Sequence, residues 1–89
     1  MKIITWNCNG AFRKKIHLIE NLGADILVIQ ECEDPAQFIG SYSIWAKNYL
    51  WTGNNKNRGL GVFIQNDKFT LKKLVPRCSV WVARAKPAA

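Results

Sequence analysis

Acidic side chains are scarce in this chain of 89 residues: six Asp and Glu stand against thirteen Lys and Arg, for a net charge of +7. The imbalance favours polyanionic partners, nucleic acid first among them. It is also uneven, since residues 47–89 hold nine basic residues and one acid, Asp67. Long apolar runs are missing too. No stretch approaches the ~20 residues of a membrane span, so a spanning helix is excluded. The opening Met1-Lys2-Ile3-Ile4-Thr5-Trp6 lacks the apolar core and small-residue cleavage site of a signal peptide, which reads as a cytoplasmic protein. Histidine occurs once, at His17, and the three cysteines, Cys8, Cys32 and Cys78, form no CxxC pair. That set has no zinc-ligand spacing and reads as free thiols of a reduced compartment. Internal repeats and linkers are absent, and the length suits one domain with a modest core.

What is present is organised around Asp25-Ile-Leu-Val-Ile-Gln-Glu-Cys-Glu33. Four aliphatic residues in a row suit a strand buried on both faces. Strict alternation would put Leu27, Ile29 and Glu31 on one face, and Ile26, Val28 and Gln30 on the other. The strand would then carry Glu31 to the carboxyl edge of the sheet, where open α/β sheets place their ligands. The alternative is an acid at an ordinary strand end.

Upstream, residues 2–8 read as a first strand, with Asn7 and Asn9 on one face and Trp6 and Cys8 on the other. Asn9-Gly10 is a turn signal. Phe12, Ile16 and Ile19 recur at helical spacing, with Leu18 and Leu22 beside them, so a helix is expected over residues 11–22, ended by Gly23. The cluster Arg13-Lys14-Lys15 would serve anion binding or a solvated face. Strand, helix and strand make a βαβ unit with parallel strands, bringing Asn7 and Glu31 to the same edge.

Downstream, Asp34-Pro35 could open a short helix. Residues 48–52 read as a strand, 53–59 as the clearest loop, and 60–65 as a strand antiparallel to its neighbour. Asn66-Asp67-Lys68 reads as a turn and residues 69–75 as one more strand. Val80-Trp81-Val82 could extend a strand, and residues 83–89 look like a frayed end.

Two motifs carry a resemblance. Ile4-Thr-Trp-Asn-Cys-Asn-Gly10 and Ala24-Asp-Ile-Leu-Val-Ile-Gln-Glu-Cys-Glu33 resemble the first two motifs of the endonuclease/exonuclease/phosphatase family, whose members include exonuclease III and DNase I. Gly59-Leu-Gly-Val-Phe-Ile64 is similar to a later family strand, and the likeness runs from Lys2 to about Leu74.

The resemblance implies an α/β (α+β) architecture: half of a four-layer αββα sandwich, a βαβ unit followed by antiparallel strands. It implies a phosphoester hydrolase dependent on Mg²⁺ (or Mn²⁺). Glu31 would be the metal-ligating acid and Asn7 the amide near the metal and the scissile phosphate. The residue types suit those roles, because Mg²⁺ takes hard oxygen ligands and an amide can donate to a phosphate oxygen without adding charge.

Family members are much longer and carry a later Tyr, an Asp-x-Asn pair and an Asp-His pair, none of which can be placed here. Residues 1–75 are therefore expected to be the N-terminal segment of such a domain, truncated and weak or inactive alone, with 76–89 a divergent tail.

Two other readings compete. One is a basic nucleic-acid-binding module using the Asn54–Arg58 loop, with Lys56, Asn57 and Arg58 as phosphate contacts and Trp45, Tyr49 and Trp51 for base stacking. The other is a partner-dependent structural α/β protein that self-associates through an uncovered sheet face.

Overall fold

A computed structural model describes residues 1–66, 68–73 and 81–85. Asp67, Cys78 and the rest of 74–80 and 86–89 lie outside the described residues, as do the corresponding parts of the expected turn, last strand and tail. Strands β1 (Ile3–Asn7), β2 (Ile26–Cys32), β3 (Tyr49–Asn55) and β4 (Arg58–Ile64) form one mixed sheet in the order β1-β2-β4-β3. β1 runs parallel to β2, Ile3 opposite Ile26 through Asn7 opposite Gln30; β4 is antiparallel to both β2 and β3. Strands β5 (Phe69–Lys73) and β6 (Trp81–Ala85) pair antiparallel as a separate ribbon. Among the described residues, helix α1 (Ser41–Trp45) and three 3-10 turns accompany the strands in a small α+β fold. Among the described residues, no helix is long and apolar enough to cross a membrane.

The aliphatic run of β2 contributes to a core cluster on each face of the sheet. Leu27 and Ile29 pack with Cys8, Phe12, Ile19, Cys32, Tyr42, Ala46 and Phe63 in the larger core. Ile26 packs on the other side with Val62 and Ile64, and Val28 against them. The partner-dependent alternative expects one sheet face with exposed Ile or Leu positions on the first two strands. Ile3 is exposed and Val28 half-buried, but Ile26, Val62 and Ile64 are buried. The larger core is aromatic at its centre. The Phe12 ring lies 5.6 Å from Trp45, 5.6 Å from Phe63 and 6.0 Å from Tyr42, largely edge-on or tilted. These are distances at which ring quadrupoles attract.

Two expectations need correction. The helix over residues 11–22 is instead two 3-10 turns, Phe12–Lys14 and Ile16–Leu18. Its start is spoiled by three consecutive left-handed residues, Asn9, Gly10 and Ala11, with no side-chain cap. Lys15 then departs from helical geometry, φ −118°, while its ammonium donates to the Cys8 carbonyl at 2.6 Å. Leu18 and Leu22 remain exposed, so the full apolar stripe has no surface to bury against. Helical spacing was present, but a helix draws most of its stability from packing of that stripe.

The loop over 53–59 is also shorter than expected. β3 continues to Asn55 and β4 begins at Arg58, leaving Lys56 and Asn57 as the turn. Gly59 belongs to the ladder because the Trp51 ring crosses over it: a Cβ there would lie 2.3 Å from that ring and 2.5 Å from the Thr52 carbonyl. The Asp34-Pro35 expectation holds, with Asp34 capping the 3-10 turn Pro35–Gln37 by accepting from the Ala36 N–H. Trp81–Ala85 is strand where residues 83–85 were expected to fray.

Phe12→Ala should lower unfolding free energy by about 3–5 kcal/mol, the usual cost of an aromatic cavity, read from urea melts. In a domain this small that approaches complete unfolding. The buried thiols give a second expectation. Burial pushes Cys32 up from 9.0 to about 12, and burial likewise raises Cys8. A raised folded-state value means stability is intact below the ordinary thiol range and is lost as pH climbs through the folded value. Stability should therefore fall between about pH 9 and 12 less steeply in Cys32→Ala than in the parent. Peptide mapping after iodoacetamide at about pH 8 should find Cys8 and Cys32 modified only when the chain is unfolded.

Candidate functional site at the carboxyl edge of β1 and β2

β1 ends at Asn7, whose Oδ1 accepts the Asn9 N–H at 3.0 Å. That Asx turn begins the left-handed run through Gly10 and Ala11. The Cys8 N–H continues the pairing with β2 by donating to the Gln30 carbonyl, and the Cys8 thiol points to the Gln30 and Glu31 carbonyls at 3.3 and 3.4 Å. Asn7 and Glu31 thus lie at one edge of the sheet, as expected.

The alternation of β2 breaks just there. Ile29 sits opposite Gly61 and Cys32 opposite Gly59, so Gln30 and Glu31 together face the single residue Leu60. Glu31 takes φ +60°. This β-bulge shifts the parity by one. Glu31 leaves the face of Leu27 and Ile29, against expectation, and Cys32 takes the buried position instead. Non-glycine residues held in the left-handed region cost roughly 1–2 kcal/mol and concentrate at functional sites.

Arg58, the first residue of β4, pairs through Nη1 with Glu31 Oε1. Its guanidinium lies against Gly10, where a Cβ would approach Nη2 to 3.0 Å. Both side chains are accessible, 53% for Arg58 and 33% for Glu31. Next to this pair opens a cleft of about 260 Å³, walled by Gly10, Ala11, Arg13, Lys14, Glu33, Phe38, Asn57 and Arg58. Of the expected phosphate contacts, the structure brings Arg58 to Glu31 and Asn57 to the cleft. Lys56 stands at the hairpin tip, tied in by its carbonyl, which accepts the Asp34 N–H at 2.8 Å.

Glu33 and Arg13 were not assigned a joint role by the sequence. Glu33 is buried, and its carboxylate takes Arg13 Nε at 3.1 Å and the Arg13 N–H at 3.2 Å. Tyr42 donates to the Glu33 carbonyl at 2.7 Å, and burial raises the Tyr42 hydroxyl well above its ordinary range, keeping it a donor. The Arg13 guanidinium lies 5.2 Å from the Phe38 ring centre. Glu33 follows directly after the end of β2 at Cys32. Arg13, from the basic cluster, is thus a structural clamp. His17 is exposed on the second 3-10 turn.

Among the described residues, no group of three or more His, Cys, Asp and Glu could hold a metal ion. Glu31 and Asn7 offer one carboxylate and one amide. Mg²⁺ is commonly held by one or two carboxylates, completed by waters and substrate phosphates. The donor chemistry fits a weak site of that kind, with Arg58 already on the carboxylate. The aromatics proposed for stacking are engaged elsewhere. Trp45, Tyr49 and Trp51 pack against the larger core, and Trp51 Nε1 donates to the Cys32 carbonyl at 3.0 Å.

No family model, curated protein or solved structure matches this chain.

The left-handed Glu31 makes a direct prediction. Glu31→Gly and Glu31→Ala both remove the carboxylate, but only alanine keeps a Cβ at φ +60°. The glycine variant should be the more stable of the two by about 1 kcal/mol in urea melts. Equal midpoints would show that the bulge relaxes in solution.

Proposed function

We propose that the chain is part of a metal-dependent phosphoester hydrolase of the endonuclease/exonuclease/phosphatase kind, with its sheet as one layer of the sandwich. The observation that carries this reading is Glu31, held strained and accessible in a bulge at the edge where parallel β1 delivers Asn7. The Asn-Gly and Gln-Glu motifs then sit at neighbouring carboxyl ends, as the resemblance requires.

Each residue has a chemical part. The Asn9 N–H can only donate, so it fixes Asn7 Oδ1 toward the turn and leaves Nδ2 to donate to a phosphate oxygen. Glu31 supplies the carboxylate for the cation, and the cation, when bound, would polarise the phosphoryl oxygen. In this reading Asn57 and Arg58, at the cleft, and Lys56, at the turn, would meet further phosphates. A general base is not evident among the described residues, since Glu33 is committed to Arg13. Such a group is typically worth 10²–10⁴-fold in rate, on the order of 3–5 kcal/mol.

Binding of nucleic acid without metal is the second reading. It rests on the net charge of +7 and the exposed Lys56-Asn57 turn. Trp45, Tyr49 and Trp51 are half-buried against the larger core. Affinity that falls steeply with salt and ignores Mg²⁺ would favour it.

The test of the first reading is a Mn²⁺ titration followed by NMR. Signals of Asn7, Gln30 and Glu31 should broaden before those of Glu20, with millimolar affinity, about −4 kcal/mol. Glu31→Gln should abolish that order and leave the fold intact. The chain alone should hydrolyse bis(4-nitrophenyl) phosphate near the background rate. Equal broadening at every acid would defeat the proposal.

A further inference from the structure

The Glu31–Arg58 pair differs from the Arg13–Glu33 pair in a way that bears on ligand order. Glu33 and Arg13 form a clamp with the carboxylate side chain 5% exposed; Arg58 and Glu31 meet at the surface. Exposed pairs are worth little, because water solvates both partners nearly as well apart. Arg58 can therefore leave Glu31 without disturbing the sheet. Its backbone stays in the ladder opposite Asn55, so only the side chain needs to swing. The space around it is already open: Gly10 presents no Cβ, and the cleft begins at the guanidinium.

We infer that Arg58 is a built-in counter-ion which a divalent cation must displace from Glu31, and whose freed guanidinium then takes the phosphate. This rests on the hydrolase reading above. A guanidinium and a divalent ion on one carboxylate repel each other, so binding of the metal expels Arg58. The expelled side chain has five donors suited to a phosphate oxyanion. It also adds charge where little is free: Arg13 is held by Glu33 and the Lys15 ammonium by the Cys8 carbonyl, leaving Lys14 at the cleft. A phosphate arriving first would draw Arg58 away and bare Glu31 for the metal. The two ligands are thus coupled through one side chain, and the coupling must be equal in both directions.

The experiment measures Mn²⁺ affinity at Glu31 by paramagnetic broadening, with and without dimethyl phosphate, in the full chain and in Arg58→Gln. In the parent, dimethyl phosphate should tighten Mn²⁺ by about two- to five-fold, the range open to an exposed pair. Mn²⁺ should tighten dimethyl phosphate by the same factor. Arg58→Gln should bind Mn²⁺ tighter by a similar factor without phosphate and lose the coupling. Lys14→Gln, which removes the same charge without touching Glu31, should keep it. A readout independent of variants is the Arg58 Nε–H signal of the parent, which should move on adding Mg²⁺ while that of Arg13 stays.

Equal Mn²⁺ affinity in parent and Arg58→Gln, or an unmoved Arg58 signal while Glu31 binds metal, would overturn the inference alone. Absence of any selective Mn²⁺ effect at Glu31 in both proteins would overturn the hydrolase reading with it.

Discussion

The bulge in β2 is the constraint on which the rest of this structure depends. One extra residue between Ile29 and Cys32 shifts everything after it by one position. Cys32 thereby enters the core and Glu33 is drawn beneath the 3-10 turn that carries Arg13. Glu31, which alternation would have buried beside Ile29, is left at the surface within reach of Arg58. Had β2 stayed regular, a carboxylate would face Phe12 and Phe63, at a desolvation cost of several kcal/mol. Holding Glu31 in the left-handed region costs less, roughly 1–2 kcal/mol. The comparison of those two magnitudes explains why the strand bends rather than continues.

The same comparison orders the two ion pairs. Glu33 is buried, so its charge is tolerable only with Arg13 held at two points, and removing Arg13 would strand it. That pair organises structure: with Tyr42 on the Glu33 carbonyl, it ties the end of β2 to the first 3-10 turn and to α1. The Glu31–Arg58 pair is accessible and carries little of the fold's stability. It breaks at less cost than the Arg13–Glu33 pair.

Aromatic packing links these local features to the global fold. Phe12 follows directly on the left-handed residues 9–11 and lands among Trp45, Tyr42 and Phe63. The tight turn that shapes one wall of the cleft is therefore anchored by the deepest ring of the core. Trp51 does the same from β3, crossing Gly59 to reach the Cys32 carbonyl. Phe12 and Trp51 both belong to the larger core, so the edge that holds Asn7, Glu31 and Arg58 is backed by rings on that face.

The sequence by itself determined the strands and their company. A run of β-branched and aliphatic residues at 26–29 suits an inner strand, and a right-handed crossover to a parallel neighbour brings Asn7 and Glu31 to one carboxyl edge, because β1 and β2 then run in the same direction. It also marked Asp34-Pro35 as a turn start. It did not determine the segment after Asn7: Phe12, Ile16 and Ile19 have helical spacing, yet whether a helix forms depends on a surface to receive Leu18 and Leu22, which no local rule supplies. Nor could it place Glu33 against Arg13 or Arg58 against Glu31, partners 20 and 27 residues apart. Those pairings follow from the bulge, and the bulge follows from the competition between burying a carboxylate and straining a backbone. Only the packed structure decides that competition, because only there is the price of burial known.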